Sequence, residues 1–170
     1  MKFLCKLFAF FLLFFSLYGT SNGNETIAYI DIDFIIKNSD IGKRTLKKIN
    51  DQNNKNIEEL KNNEKILKEL EKEIASKKNI ISKEAFNKEV SIFKEKVNKF
   101  KTDQKQMIKD FNNYKKKEID AIFEIISPII NAYMEKKSVK ILLDAKNVFM
   151  ARNDLNLTNN ILKEINKEAK

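Results

Sequence analysis

The chain has 170 residues, with 33 Lys plus Arg against 24 Asp plus Glu, a formal net charge of +9, one Cys, one Pro, three Gly and no His or Trp. That length suits one modest domain, and the missing imidazole excludes both a histidine base and His-ligated zinc. A single Cys excludes an internal disulfide or a Cys-rich metal site, and scarce Gly and Pro with 34% charged residues point to long helices.

The N-terminus reads as an export address. Met1–Lys6 carries two lysines and no acid, Leu7–Leu17 is almost wholly apolar, and Tyr18–Gly23 is small or polar. This is the order of a secretory signal peptide. Ser21 and Gly23 fit the small positions before a cut, so residues 1–23 are expected to be removed, with Gly19 a second candidate end. The apolar run of eleven residues is short of the roughly 20 that span a bilayer. Cys5 precedes that run, which argues against a lipoprotein. The chain from residue 24 then has no Cys and only Gly42, so a Gly-rich phosphate loop is excluded.

Thr26–Asp33 reads as a strand, β-branched and apolar on both faces. Asp33 is placed to cap a short turn over Phe34–Lys37. Asn38–Gly42 is a turn-rich cluster. From Lys43 to about Ser76 a heptad runs through Leu46, Ile49, Asn53, Asn56, Leu60, Asn63, Leu67, Leu70 and Ile74. A second runs through Phe86, Val90, Phe93, Val97, Phe100, Gln104, Met107, Phe111, Tyr114, Glu118, Ala121 and Ile125. Sustained heptads with charged flanks predict a coiled coil. Ser82 is set to cap the second helix, with Ile81 and Phe86 as a hydrophobic staple. The two helices therefore form an antiparallel hairpin over 41–137 with its tip near 77–82. The second helix is expected to be roughly 60 Å long, and Pro128 is expected to bend it.

After Lys137 the period changes to two. Ser138–Asp144 predicts a strand, Ala145–Asn147 a turn, Val148–Ala151 a short third strand, and Thr158 the cap of a last helix stapled by Leu157 and Leu162. The fold class is α+β: a long coiled-coil hairpin inserted into a small β-strand body made of 24–40 and 138–170. So small a body buries little surface alone and leaves strand edges open, which argues for pooling strands between copies. The residues expected to do so are Ile27, Tyr29, Ile141, Leu143, Val148 and Phe149.

Charge is unevenly placed. Residues 24–40 carry net −3, 41–75 net +2, 76–117 net +8, and 118–170 are balanced. The basic tip and returning helix suit either attraction of acidic polypeptides or lipid head groups, or simply a solvated coiled-coil surface. Lys77, Lys78, Lys83 and Lys88 are the candidates for that attraction. Export weakens nucleic acid as a partner. Asp31, Asp33 and Asp144 could approach one another as a divalent-metal set, but Asp at strand ends usually caps turns. No catalytic, cofactor or metal residue is assigned, and nothing resembles a positioned base or nucleophile. Three Asn in the first seam suggest loose packing there. The aromatic series Phe86, Phe93, Phe100 and Tyr114, with Met107, is either coiled-coil core or a stripe of adaptable contacts for a partner.

Several segments together resemble the Skp/OmpH family of periplasmic chaperones. They are Ile27-Ala-Tyr-Ile-Asp31, Ser39-Asp-Ile-Gly-Lys43, Ile141-Leu-Leu-Asp144, Val148-Phe-Met150 and Asp154–Lys163, in order around a charged hairpin. The resemblance implies a trimer, with a β body from three chains and three hairpins hanging around a cavity, jellyfish-like. It also implies an ATP-independent periplasmic holdase for unfolded outer-membrane β-barrel proteins, with no cofactor. The alternative class is an exported basic coiled-coil protein that binds membrane lipid or serves a structural role in the envelope.

Overall fold

The structure is a computed structural model that describes residues 26–169; the expected signal peptide and its cleavage after Gly23 lie outside the described residues. The elements are β1 (Thr26–Ile30), α1 (Ile32–Asn38), α2 (Asp40–Lys77), α3 (Lys83–Lys136), β2 (Val139–Asp144) and α4 (Thr158–Glu168), with 3-10 turns at Ala145–Asn147 and Asn153–Leu155. The fold is the expected α+β arrangement, a long antiparallel hairpin inserted between two strands.

The first strand is shorter than its pattern suggests. Asp31 stops it: its Oδ1 accepts from the Phe34 N–H at 2.8 Å and so caps α1. Asp33 therefore sits inside the first turn of α1, neither sharing a strand face with Asp31 nor capping the turn. The next cap is Ser39, fully buried, whose Oγ accepts from the Gly42 N–H at 3.1 Å. Gly42 is thus inside α2, not in a turn. A Cβ there would lie 1.8 Å from the Ile36 carbonyl oxygen, so α1 and α2 can meet this closely only at a glycine.

At about 1.5 Å per residue, α2 with 38 residues spans roughly 57 Å, and α3 with 54 residues spans roughly 81 Å, longer than expected. The extra length comes from the turns beyond Pro128, since α3 continues past it to Lys136. Pro128 leaves the Glu124 carbonyl without its helical donor, a cost of about 3 kcal/mol. Burial of Ile122, Ile126, Ile130 and Tyr133 on either side offsets it, since each fully buried side chain contributes about 1.5–3 kcal/mol.

Those four residues also correct the second heptad. Its positions from Phe86 to Glu118 are half-buried apart from exposed Gln104, but Ala121 and Ile125 are exposed while Ile122 and Ile126 are buried. A 3.5-residue repeat drifts against a 3.6-residue helix. From about residue 119 the helix also packs into the body core, together with Ile41 and Leu46 of α2. The core then comprises Ile30, Ile35, Ile36, Ile122, Ile126, Ile130, Tyr133, Ile161, Ile165 and Ala169. It takes in a stretch of α3 that the periodicity assigns to the hairpin.

β1 and β2 pair in parallel, with Ile27 opposite Ile141, Ala28 opposite Leu142 and Tyr29 opposite Leu143. A parallel pair needs a long crossover, and the whole hairpin supplies it. Ser138, at φ 53°, makes the turn from α3 into β2. No third strand forms at Val148–Ala151. That stretch has no strand beside it among the described residues, and a lone strand has no partner for its backbone groups. Thr158 does not cap its helix. Its Oγ1 accepts from the Asp31 N–H at 2.9 Å, while Asn156 Oδ1 accepts from the Thr158 N–H at 3.0 Å. The last helix is thereby tied to the β1–α1 junction.

Candidate functional surfaces

At the tip, the lysines are not equivalent. Lys77 Nζ lies 2.7 Å from Glu73 on α2 and 3.3 Å from Glu89 on α3. Its side chain is only 34% exposed, and the hydrogen bonds it donates to Glu73 first, then to Glu89, raise its pKa. The same contact lowers the Glu73 pKa. Lys77 thus joins the two helices and is not an available surface charge. The i−4 spacing of Glu73 was readable from sequence; Glu89 was not. Lys78, Lys83 and Lys88 are exposed and form no ion pair among the described residues. Between them Ile80 is 79% exposed. Ser82 caps α3 as expected, accepting from the Ala85 N–H at 3.2 Å, and Ile81 and Phe86 are half-buried beside it.

At the other end, the pleat divides the sheet. Ala28 and Ile30 face the core and are buried, with Leu142 packed beside them, and Val139 is buried next to a register shift between Thr26 and Ile27; Ile27, Ile141 and Leu143 are 44%, 44% and 40% exposed on the opposite face, where Tyr29 is half-buried. Beyond β2, Val148 is half-buried, Phe149 wholly exposed and Met150 83% exposed. The structure therefore brings four of the six residues expected in an assembly surface onto one sheet face, with the 148–150 bend following the end of β2. On its other side β1 meets Asn156, and the Leu157 N–H donates to the Tyr29 carbonyl at 2.9 Å. The described sheet has two strands.

The three carboxylates near this end have separate tasks. Asp31 caps α1, and Asp144 caps the following 3-10 turn through the Lys146 N–H at 3.1 Å. Asp33 pairs with Lys146 Nζ at 2.7 Å. That hydrogen bond lowers the Asp33 pKa and raises that of Lys146. Lys146 thus lies among all three acids, paired with Asp33 and influenced by Asp144 and Asp31. Asp154 is held by Arg152 through two contacts of 3.0 and 2.9 Å.

Midway along the hairpin the helices part. A groove of about 570 Å³ opens between Gln52–Asn63 on α2 and Lys99–Tyr114 on α3. Asn56 faces it and accepts from Gln52 Nε2 at 2.9 Å, and Asn63 is exposed. The amide-bearing seam is loosely packed, as its composition suggests. Phe86, Phe93, Phe100, Met107 and Tyr114 are all half-buried, so they pack the seam and still present surface.

A family model described as "Outer membrane protein (OmpH-like)" matches residues 26–165. Among solved structures, an OmpH-like outer membrane chaperone from Caulobacter crescentus CB15 superposes with a TM-score of 0.77 at 15% identity, covering 84% of each chain. At that identity the likeness is one of fold. No curated protein matches the chain.

Proposed function

The chain belongs to the OmpH-like outer membrane protein family, and from that premise we propose that it is an ATP-independent holdase of the periplasm. Its clients are unfolded outer-membrane β-barrel proteins, kept soluble during transit. The observation that carries this reading is the hairpin: two long helices whose apolar and aromatic seam stays half-exposed around an open groove. Soft, repeated contacts of this kind hold many sequences and release them without a fuel step. Met and aromatic side chains adapt to varied partners, and the net +8 of residues 76–117 attracts acidic chains at a distance.

In this reading the signal peptide of residues 1–23 delivers the protein to the periplasm. Copies assemble through the exposed sheet face of Ile27, Tyr29, Ile141 and Leu143, with Val148 and Phe149 adding to it. The trimeric number comes from the family resemblance. Ile141→Asp or Leu143→Asp places a charge in the interface and should dissociate it, since a buried unpaired charge is costly. A mass measurement that finds the parent and both variants in the same state contradicts this surface.

The holdase role is tested by diluting a urea-unfolded outer-membrane β-barrel protein into buffer and following light scattering. The intact protein should suppress the scattering at near-stoichiometric ratio without nucleotide. Unchanged aggregation contradicts the proposal. A second reading rests on Ile80, an exposed apolar side chain among Lys78, Lys83 and Lys88. That combination suits the surface of an anionic membrane. Sedimentation with anionic but not neutral vesicles, lost in Ile80→Asp, is its expected signature.

A further inference from the structure

The groove between the arms has a floor and a rim of different chemistry. Leu60, Phe100, Met107, Phe111 and Tyr114 form its half-buried floor, and its volume of about 570 Å³ lies within the range of ligand sites. The exposed rim carries Glu59, Asp103 and Asp110. Lys99 is the one cation in the lining, and its Nζ is committed to Asp103 at 2.6 Å. Asp110 accepts an uncharged donor, Gln106 Nε2 at 2.8 Å. Glu59 has no ion pair among the described residues. Glu59 and Asp110 thus have no ion-pair partner among the described residues above an aromatic and thioether floor, although residues 76–117 around them carry net +8.

We propose that this groove is a cation-accepting site for an extended polypeptide segment that carries Lys or Arg among apolar residues. A long basic side chain lays its apolar stem along such a floor and keeps its charge at the rim. There the carboxylates attract it, and the faces of Phe and Tyr add a cation–π contribution. The groove continues into a smaller one of about 180 Å³ beside Asn63, Ile66, Leu67 and the exposed Lys96, so its occupant is elongated and its basic side chains belong at the Glu59–Asp110 end. From Gln52 to Leu67, α2 rises about 22 Å, which accommodates roughly six or seven extended residues. The side-chain amides of Gln52, Asn56 and Asn63 along one wall offer donors and acceptors to a strand-like backbone. The inference rests on the polypeptide-holding reading and deepens it: the basic tip draws acidic stretches, and the groove takes basic ones.

The test uses the intact protein and three labelled peptides of about twelve residues, alternating Lys–Leu, Glu–Leu and Ser–Leu, with affinity read by fluorescence anisotropy at low salt. The parent should bind Lys–Leu more tightly than Ser–Leu, against its overall positive charge. In the exposed, isosteric double variant Glu59→Gln with Asp110→Asn, the Lys–Leu Kd should weaken about fivefold or more. Glu–Leu binding should stay unchanged or tighten. Equal loss for all three peptides, no loss, or no preference of the parent for Lys–Leu over Ser–Leu overturns the site. A loss that tracks a change in oligomeric mass also overturns it, because the groove would then hold a second copy. Suppression of β-barrel aggregation is measured on the same samples. If it persists in the parent while the peptide results fail, the groove assignment falls and the holdase reading stands; if the parent does not suppress aggregation, it is the holdase reading that falls.

Discussion

The body and the hairpin spend their apolar residues in opposite ways. In the body, Ile35, Ile126, Ile161 and Ile165 have no exposed surface, and Ile122 has 1%. Along the hairpin, no residue from 50 to 73 on α2 or from 83 to 121 on α3 is buried. The body uses stiff β-branched side chains, which pack in defined rotamers. The hairpin uses mostly Leu, Phe, Met and Tyr, with Val90 and Val97, interrupted by Asn, which leaves partly accessible contact surface. A well-packed coiled coil would be more stable and would have less to offer a client. The difference separates the part that fixes the fold from the part that can hold something else.

Truncation should break this comparison most visibly. Ile126→Ala or Ile165→Ala should cost about 2–5 kcal/mol in denaturant unfolding, while Leu60→Ala in the half-buried seam should cost about 1 kcal/mol. Equal costs would erase the distinction. Gly42→Ala comes next. A Cβ 1.8 Å from the Ile36 carbonyl oxygen forces α2 away from α1, at a cost of about 1–3 kcal/mol, the usual scale of overpacking. Ser138→Gly should raise the melting temperature, because it relieves a left-handed conformation at φ 53° worth about 1 kcal/mol.

Asn56→Leu sharpens the comparison from the other side. It should tighten the groove wall and stabilise the hairpin by about 0.5 kcal/mol, while weakening retention of an unfolded client in a pull-down. Smallest is the effect of pH. Glu73 and Asp33 titrate below the ordinary carboxylate range, and their partners Lys77 and Lys146 above the ordinary lysine range. A depressed carboxylate contributes stability above its unfolded pKa and loses it as pH falls through the folded value. A raised lysine contributes below its unfolded pKa and loses it as pH rises through the folded value. The tip and the α1 contact with Lys146 should therefore stay intact between about pH 5 and pH 10 and loosen outside that window. Amide exchange near residues 73–89 checks this.

Much of the architecture was legible because it rests on local signals. Ser82 before Glu84, the heptads, and the alternation of 139–144 each depend on near neighbours. The misread residues depend on distant ones. Asp31 rather than Asp33 ends β1 because α1 must turn back onto Ile126 and Ile161 in the core. Thr158 gives its hydroxyl to Asp31, 127 positions away in sequence. Ile122 and Ile126 replace Ala121 and Ile125 because α3 enters the body core partway along its length. Of the surface candidates, the sheet face of Ile27, Tyr29, Ile141 and Leu143 followed from strand alternation. Lys77 was misjudged because Glu89 approaches it only once the hairpin closes. The groove needed the helices side by side, and only Asn56 and Asn63 in the seam hinted at it.

Hydrogen exchange by mass spectrometry, with and without an unfolded outer-membrane β-barrel protein, tests most directly the claim that the hairpin holds clients and the body does not. Client should slow exchange over α2 and α3 between about residues 50 and 118 and leave β1, β2 and α4 unchanged. Protection confined to the body, or none anywhere under conditions where aggregation is suppressed, would contradict it.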